Sequence, residues 1–264
     1  MSNLFFYAAL SGALILLGTF LFFFTLTRGA LLMRGALSKQ NSAAAYVYPI
    51  YSNLRLIRLV DFQPVISAIL LFQYPRLVSL ITQGLKRTDL RGQDVLITSC
   101  AFGNVLPRVV RAAVNSGAKK VLIIDIINNE LNHARHKLSS HAENLTFRED
   151  DAAALKQPDA SVGANILFFL LHELPPNLQD KVLREATRVL APGAKLYLAE
   201  FHRPAVLPLR ALSWLYFKVF EPFGLTLWSA HDPVKQLMDI GGVTCERTVV
   251  FFGNFQVITA TKCS

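Results

Sequence analysis

Apolar positions along the chain first form one unbroken block and then break into short periodic runs. Leu4 to Leu26, LFFYAALSGALILLGTFLFFFTL, is 23 residues without a charge. As a helix rising 1.5 Å per residue it would reach about 35 Å, enough to cross a bilayer core. No Lys or Arg precedes it, whereas Arg28, Arg34 and Lys39 follow it. The excess of basic residues on that side predicts a single-pass transmembrane anchor over 1–27, with the bulk of the chain on the cytoplasmic or mitochondrial matrix face. The rival reading is a cleaved signal peptide, for which SAAAY at 42–46 supplies small residues. The missing basic n-region weighs against it.

Tyr46 to Ile81 is aromatic and apolar but interrupted by Arg55, Arg58 and Arg76 and by Pro49, Pro64 and Pro75. The pattern predicts short helices over 28–90 that lie in the membrane interface or cap a pocket. From Asp94 onward apolar runs alternate with helical patterns. Strands are predicted at 94–99, 120–126, 145–148, 163–171 and 194–200, and helices near 105–116, 128–139 and 177–190. That alternation predicts a parallel sheet covered on both faces. The last stretch, VTCERTVVFFGNFQVITATK, reads instead as two strands around Gly253-Asn254, an antiparallel hairpin.

Composition narrows the picture. Hydrophobic residues make up 52% and charged residues 17%, which points to membrane contact. The net charge of +9 is concentrated in residues 1–90, which hold eight Lys/Arg against two acids. Positive charge beside an apolar span suits anionic lipid headgroups, and no nucleic-acid-binding pattern accompanies it. Cys100, Cys245 and Cys263 have neither disulfide nor zinc spacing, so reduced thiols are expected.

In an open α/β sheet the ligand binds beyond the carboxyl ends of the strands. After strand one come Cys100, Gly103 and Asn104, in a turn, SCAFGN, with a single glycine. Asp125 closes strand two, where an acid can accept from both ribose hydroxyls or merely cap the next helix. Asp150 and Asp151 follow strand three, His172 and Glu173 strand four, and His202 and Arg203 strand five. An abrupt His-Glu pair after ILFFLL has the character of a site rather than of a core histidine. The apolar insert 205–228 carries Trp214 and Trp228, which suit the headgroup level of a membrane.

The wound sheet, its closing hairpin and LAPGAKLYLAEF at 190–201 resemble the class I S-adenosylmethionine (SAM)-dependent methyltransferase fold, over roughly residues 90–262. Together, CAFG with its following PR, FFLLHELP, EFHRP, EPFGLTLW and FFGNFQ resemble the rhodoquinone biosynthesis (RquA) family in particular. That resemblance implies a catalytic domain over 91–264 in which SAM donates an amine that replaces a methoxy group of ubiquinone, with Mn²⁺ assisting. It implies catalytic roles for His172, Glu173 and His202, with Glu173 a metal ligand. It further implies cofactor contacts from Cys100, Gly103, Asp125 and Asp151, and quinone contacts from Tyr46, Tyr48, Arg203, Trp214 and Trp228. The chain departs from that family's pattern at Asn104, where an Asp is expected, and at Phe102, where a Tyr is expected. Two other readings stay open: a conventional SAM-dependent methyltransferase acting on a quinone or lipid, and a non-catalytic membrane scaffold.

Overall fold

Alternating residues of the central strands feed two separate apolar cores. Val95, Ile97, Val121, Ile123 and Ile166 face one, while Leu96, Ile124, Leu167, Leu196 and Leu198 face the other. A sheet buried on both faces requires such near-continuous apolar strands. The computed structural model describes residues 2–25, 51, 53–139 and 144–263. Its strands are β1 (Asp94–Thr98), β2 (Lys120–Asp125), β3 (Leu145–Glu149), β4 (Val162–Phe168), β5 (Leu190–Phe201), β6 (Val243–Val250) and β7 (Phe255–Lys262). They form one sheet in the order β3-β2-β1-β4-β5-β7-β6. β1 to β5 run parallel, and β7 lies antiparallel between β5 and β6. The order reverses between β1 and β4, which places a ligand crevice at their carboxyl ends.

The helices are α1 (Ser2–Phe24), α2 (Leu54–Asp61), α3 (Gln63–Ile69), α4 (Tyr74–Lys86), α5 (Val105–Asn115), α6 (Asn128–Lys137), α7 (Pro176–Arg188), α8 (Leu207–Val219) and α9 (Pro233–Ile240). α4 packs one face against the sheet. Tyr74, Leu77, Val78, Ile81 and Leu85 are all fully buried in the core that covers the sheet. α2 and α3 bend over the crevice as a cap. α1 is helical and uncharged, and Phe5–Leu14 is a shorter apolar helix within it. Among the described residues no single helix is long and apolar enough to cross a membrane. The bent pair α3–α4, 96° apart, passes by length and composition, yet α4 is sequestered in the core.

Strand four ends three residues earlier than its apolar run suggests. Phe169 adopts a left-handed backbone (φ 55°), and Leu171–Glu173 form a 3₁₀ turn. Such a conformation costs a bulky residue roughly 1–3 kcal/mol and persists only where the surroundings hold it. Here the Phe169 ring packs edge-on against Phe168, His172, Phe201 and Phe255.

Candidate functional site

A cavity of about 680 Å³ opens at the switch point between β1 and β4. That volume lies within the range of small-molecule sites. One side is apolar, lined by Ile66, Ile69 and Leu70 of the cap, Tyr216 and Phe220 of α8, and Phe20 of α1. Phe20 meets Phe220 edge-on at 5.3 Å, so the first helix reaches the cavity mouth. The other side is acidic: Asp125, Glu130, Asp150, Asp151, Glu173 and Glu221 line it, and among the described lining residues His172 is the sole basic side chain.

His172 sits at the centre of the β4 end. Its Nδ1 donates to Glu200 Oε1 at 2.9 Å, and its Nε2 stands 3.4 Å from Glu221 Oε2. Glu200 is fully buried at the end of β5, and its carboxylate also accepts the backbone N–H groups of Leu171, His172 and Phe201. Four donors fix it. Burial alone would lower the imidazole's pKa, but Glu200 and Glu221 outweigh it and raise the value to about 10. His172 is therefore an imidazolium at neutral pH, a proton donor and not a base. Glu173, raised to about 7 mainly by burial, accepts a hydrogen bond from the Tyr51 hydroxyl of the cap. A carboxyl that titrates there can exchange protons at physiological pH.

At the β1 end the turn is held by the protein itself. Cys100 N–H donates to Asp125 Oδ2 (2.6 Å), Gly103 N–H to Asp61 Oδ1 (2.8 Å), Asn104 N–H to Gln63 Oε1 (3.0 Å) and Val105 N–H to the Tyr74 hydroxyl (2.6 Å). Asp61 also takes His133 Nε2 at 3.0 Å and the Lys137 ammonium. Gly103 has φ +75°, and a Cβ there would lie 2.5 Å from the Tyr74 hydroxyl, so the turn's one glycine serves close packing against α4. The residue does not line the cavity, against the cofactor role expected of it. Phe102 does, stacked on Tyr51 with ring centroids 5.7 Å apart.

Cys100, Asp125, Asp151, His172 and Glu173 all meet the cavity. Asp125 accepts from Cys100 N–H and from Ile127 N–H (2.9 Å), and burial raises its pKa. Asp151 caps its own turn through Ala153 N–H at 2.8 Å. His202 does not join them. Its Nδ1 donates to Gly253 O at 2.7 Å and its Nε2 accepts from Arg247, because β5 ends against the β6–β7 turn and His202 braces that turn. Arg203 beside it is exposed and also lies off the cavity lining. Trp214 is 48% exposed on α8, but Trp228 packs edge-on against Phe217 at 5.9 Å, between the two cores, and not outward. Tyr46 and Tyr48 lie outside the described residues.

The expected metal does not fit this donor set. Among the described residues no three His, Cys, Asp or Glu side chains converge as ligands. Both imidazole nitrogens of His172 face carboxylates, and Tyr51 holds Glu173. The three thiols are free. The sequence reading missed Tyr51, Asp61, Glu130, Glu200 and Glu221. Glu221 stands in the quoted EPFGLTLW and Glu200 in EFHRP, so both were visible as acids within motifs, but nothing in the spacing places them on His172.

Comparison with known proteins agrees with the architecture. Residues 95–193 match the family model described as a methyltransferase domain. The ubiquinone/menaquinone biosynthesis C-methyltransferase UbiE of Salmonella arizonae is 29% identical over 152 residues, and that of Escherichia coli is 30% identical over the same length. These matches cover 56% of this chain and 59% of each relative, so the chain spans under two thirds of the relatives' length. Among solved structures, an O-methyltransferase family protein from Burkholderia thailandensis superposes with a TM-score of 0.62 at 14% identity, covering 82% of this chain and 62% of that one. A SAM-dependent methyltransferase from Aquifex aeolicus gives 0.53 at 20%, covering 80% and 98%. Residues 95–193 thus match a methyltransferase-domain model, and the chain shares the fold of these solved methyltransferase structures.

Proposed function

We propose that this chain is a membrane-associated, SAM-using enzyme of quinone metabolism that replaces a methoxy group of ubiquinone with an amine, giving rhodoquinone. The observation that carries the reading is the state of the first turn. Its N–H groups at Cys100, Gly103, Asn104 and Val105 are engaged by Asp125, Asp61, Gln63 and Tyr74. A turn with these four backbone donors engaged offers less grip to the amino-acid end of SAM. That end is then free to take a pose other than the one a methyl donor needs. The resemblance of the quoted motifs to the rhodoquinone family supports the same choice.

Bound SAM supplies the amine nitrogen, and the residues around it handle protons. Addition of an amine to the methoxy-bearing ring carbon builds charge on the quinone carbonyl oxygen, which the His172 imidazolium is suited to stabilise. Glu173 is suited to take the proton lost from the attacking nitrogen and to return it to the departing methoxide, which leaves as methanol. The cofactor's Cα–N bond would then break with loss of a proton from the neighbouring carbon, releasing the ring amine and an unsaturated cofactor acid. The apolar wall, from Ile66 to Phe220, suits the hydrocarbon part of a lipid quinone.

Membrane association rests on α1, whose Phe5, Phe6, Tyr7, Leu10, Leu14 and Leu17 are exposed, and on the basic residues that follow it in sequence. Removing residues 1–27 should shift the protein toward the soluble fraction while leaving the sheet folded.

A second reading, methyl transfer to a quinone, is favoured by the relatives named as C-methyltransferases. Mass spectrometry of quinones separates the two in a host that makes ubiquinone but not rhodoquinone. Amine for methoxy lowers the mass by about 15 Da, whereas methylation raises it by about 14 Da. A new species at the higher mass alone would overturn the amination reading.

A further inference from the structure

Glu130 is the acid that the proposed chemistry leaves without a task. It lies in the first turn of α6, 3% exposed, and faces the cavity. Its Oε1 has no hydrogen-bond partner. A buried carboxyl oxygen left unpaired is costly, and a site normally retains one only where something else supplies the donor. We infer that Glu130 is the binding residue for the cofactor's α-ammonium group, replacing the grip that the occupied first turn cannot give.

Charge complementarity selects the ammonium among the donors such a cofactor carries. Ribose hydroxyls and the adenine amine are neutral, and the cationic sulfonium has no hydrogen to donate, so the ammonium alone brings both a positive charge and a hydrogen bond to a buried carboxyl. The wall it would meet is acidic, with His172 its one basic member among the described residues. Asp125 closes β2 beside Glu130 and is already occupied by two backbone N–H groups, whereas Glu130 Oε1 is not. Burial, reinforced by Asp125, Asp61 and Glu173 and opposed by Lys137, raises the Glu130 pKa to about 9. Cys100 and Tyr51 are the other titratable groups that sense it, and both are held neutral by burial. The ligand-free carboxyl therefore carries a proton at pH 7.5. An arriving ammonium favours its anion, so binding expels that proton to buffer.

The inference rests on the reading of the cavity as a SAM site, and calorimetry with the full chain in detergent tests the two separately. The probes are S-adenosylhomocysteine, which carries the ammonium, and 5′-methylthioadenosine, which lacks the amino-acid end. Titrations in buffers of different ionisation enthalpy count the protons released. For Glu130→Gln we expect S-adenosylhomocysteine to bind roughly 10- to 100-fold more weakly, the loss typical of a charge-assisted bond. Methylthioadenosine should bind unchanged, and the proton release seen with the wild type should shrink. Glu130→Met, of similar volume, should behave alike and guards against a fold defect, with native melting required of both. Equal weakening of both probes would place Glu130 on the ribose and overturn the inference. So would unchanged binding of S-adenosylhomocysteine by either folded variant. A wild type that binds neither probe would remove the SAM reading and this inference with it.

Discussion

The two ends of the cavity handle their polar groups in opposite ways. At the β1 end the N–H groups of Cys100, Gly103, Asn104 and Val105 are matched by side chains of β2, the cap and α4. At the β4 end a protonated imidazole lies between carboxylates, one of them held at ion-pair distance without a hydrogen bond, beside an acid that titrates near neutrality. Satisfied networks hold shape, and frustrated ones are available for chemistry. The difference separates a structural end from a reactive end within one crevice.

The largest expected effect lies at the reactive end. His172→Gln should reduce turnover by roughly 10²–10⁴-fold, the range for a proton-transferring group, with melting close to wild type. Glu200→Gln tests whether Glu200 acts through His172. It leaves an amide on Nδ1 and should move the pH profile of turnover as well as its height. Initial rates from pH 5.5 to 9 on folded protein check both. A folded His172→Gln enzyme at near wild-type rate would erase the contrast.

Next in size is the pH response of Glu173. Its folded pKa of about 7 lies above the ordinary carboxyl value, and a proton acceptor works only when ionised. Turnover should therefore climb as pH rises through about 7, and Glu173→Gln should abolish that limb. An unchanged limb in the variant would assign the titration to another group.

The smallest expected effects on rate lie at the structural end. Asp61→Asn leaves the Lys137 ammonium and His133 without their carboxylate. We expect a loss of about 1–3 kcal/mol in stability, read by denaturant titration, with turnover per folded molecule within a few-fold of wild type. His202→Ala sharpens the contrast further. His202 braces the β6–β7 turn away from the cavity, so turnover should change less than for His172→Gln by at least about tenfold.

Legibility followed the same division. Strands with near-continuous burial, such as VLIT and KVLIID, were readable because both faces of a parallel sheet must be apolar, and the closing hairpin because Gly253 marks its turn. The end of β4 was not. ILFFLL continues its apolar run past the point where Phe169 turns left-handed, and the cause is an aromatic cage drawn from β5 and β7. His172 and Glu173 were visible as polar residues after an apolar run. Glu200 and Glu221, 28 and 49 residues beyond His172, meet it only through the crossover and the insert. His202 and Trp228 show the converse. Each stands in a suggestive motif, and tertiary packing turns each to another use.

The capping of the first turn also bears on how the crevice opens. The amide protons of Gly103 and Asn104 are sheltered by side chains of α2 and α3, whereas those within β1 are sheltered by the sheet. Any excursion that lifts the cap exposes the first set to solvent deuterium and leaves the second untouched. These two amides form a built-in gauge of the free energy of cap opening, readable by exchange without any label. The interval between their exchange and that of Leu96 or Ile97 measures how far the door can swing before the house unfolds.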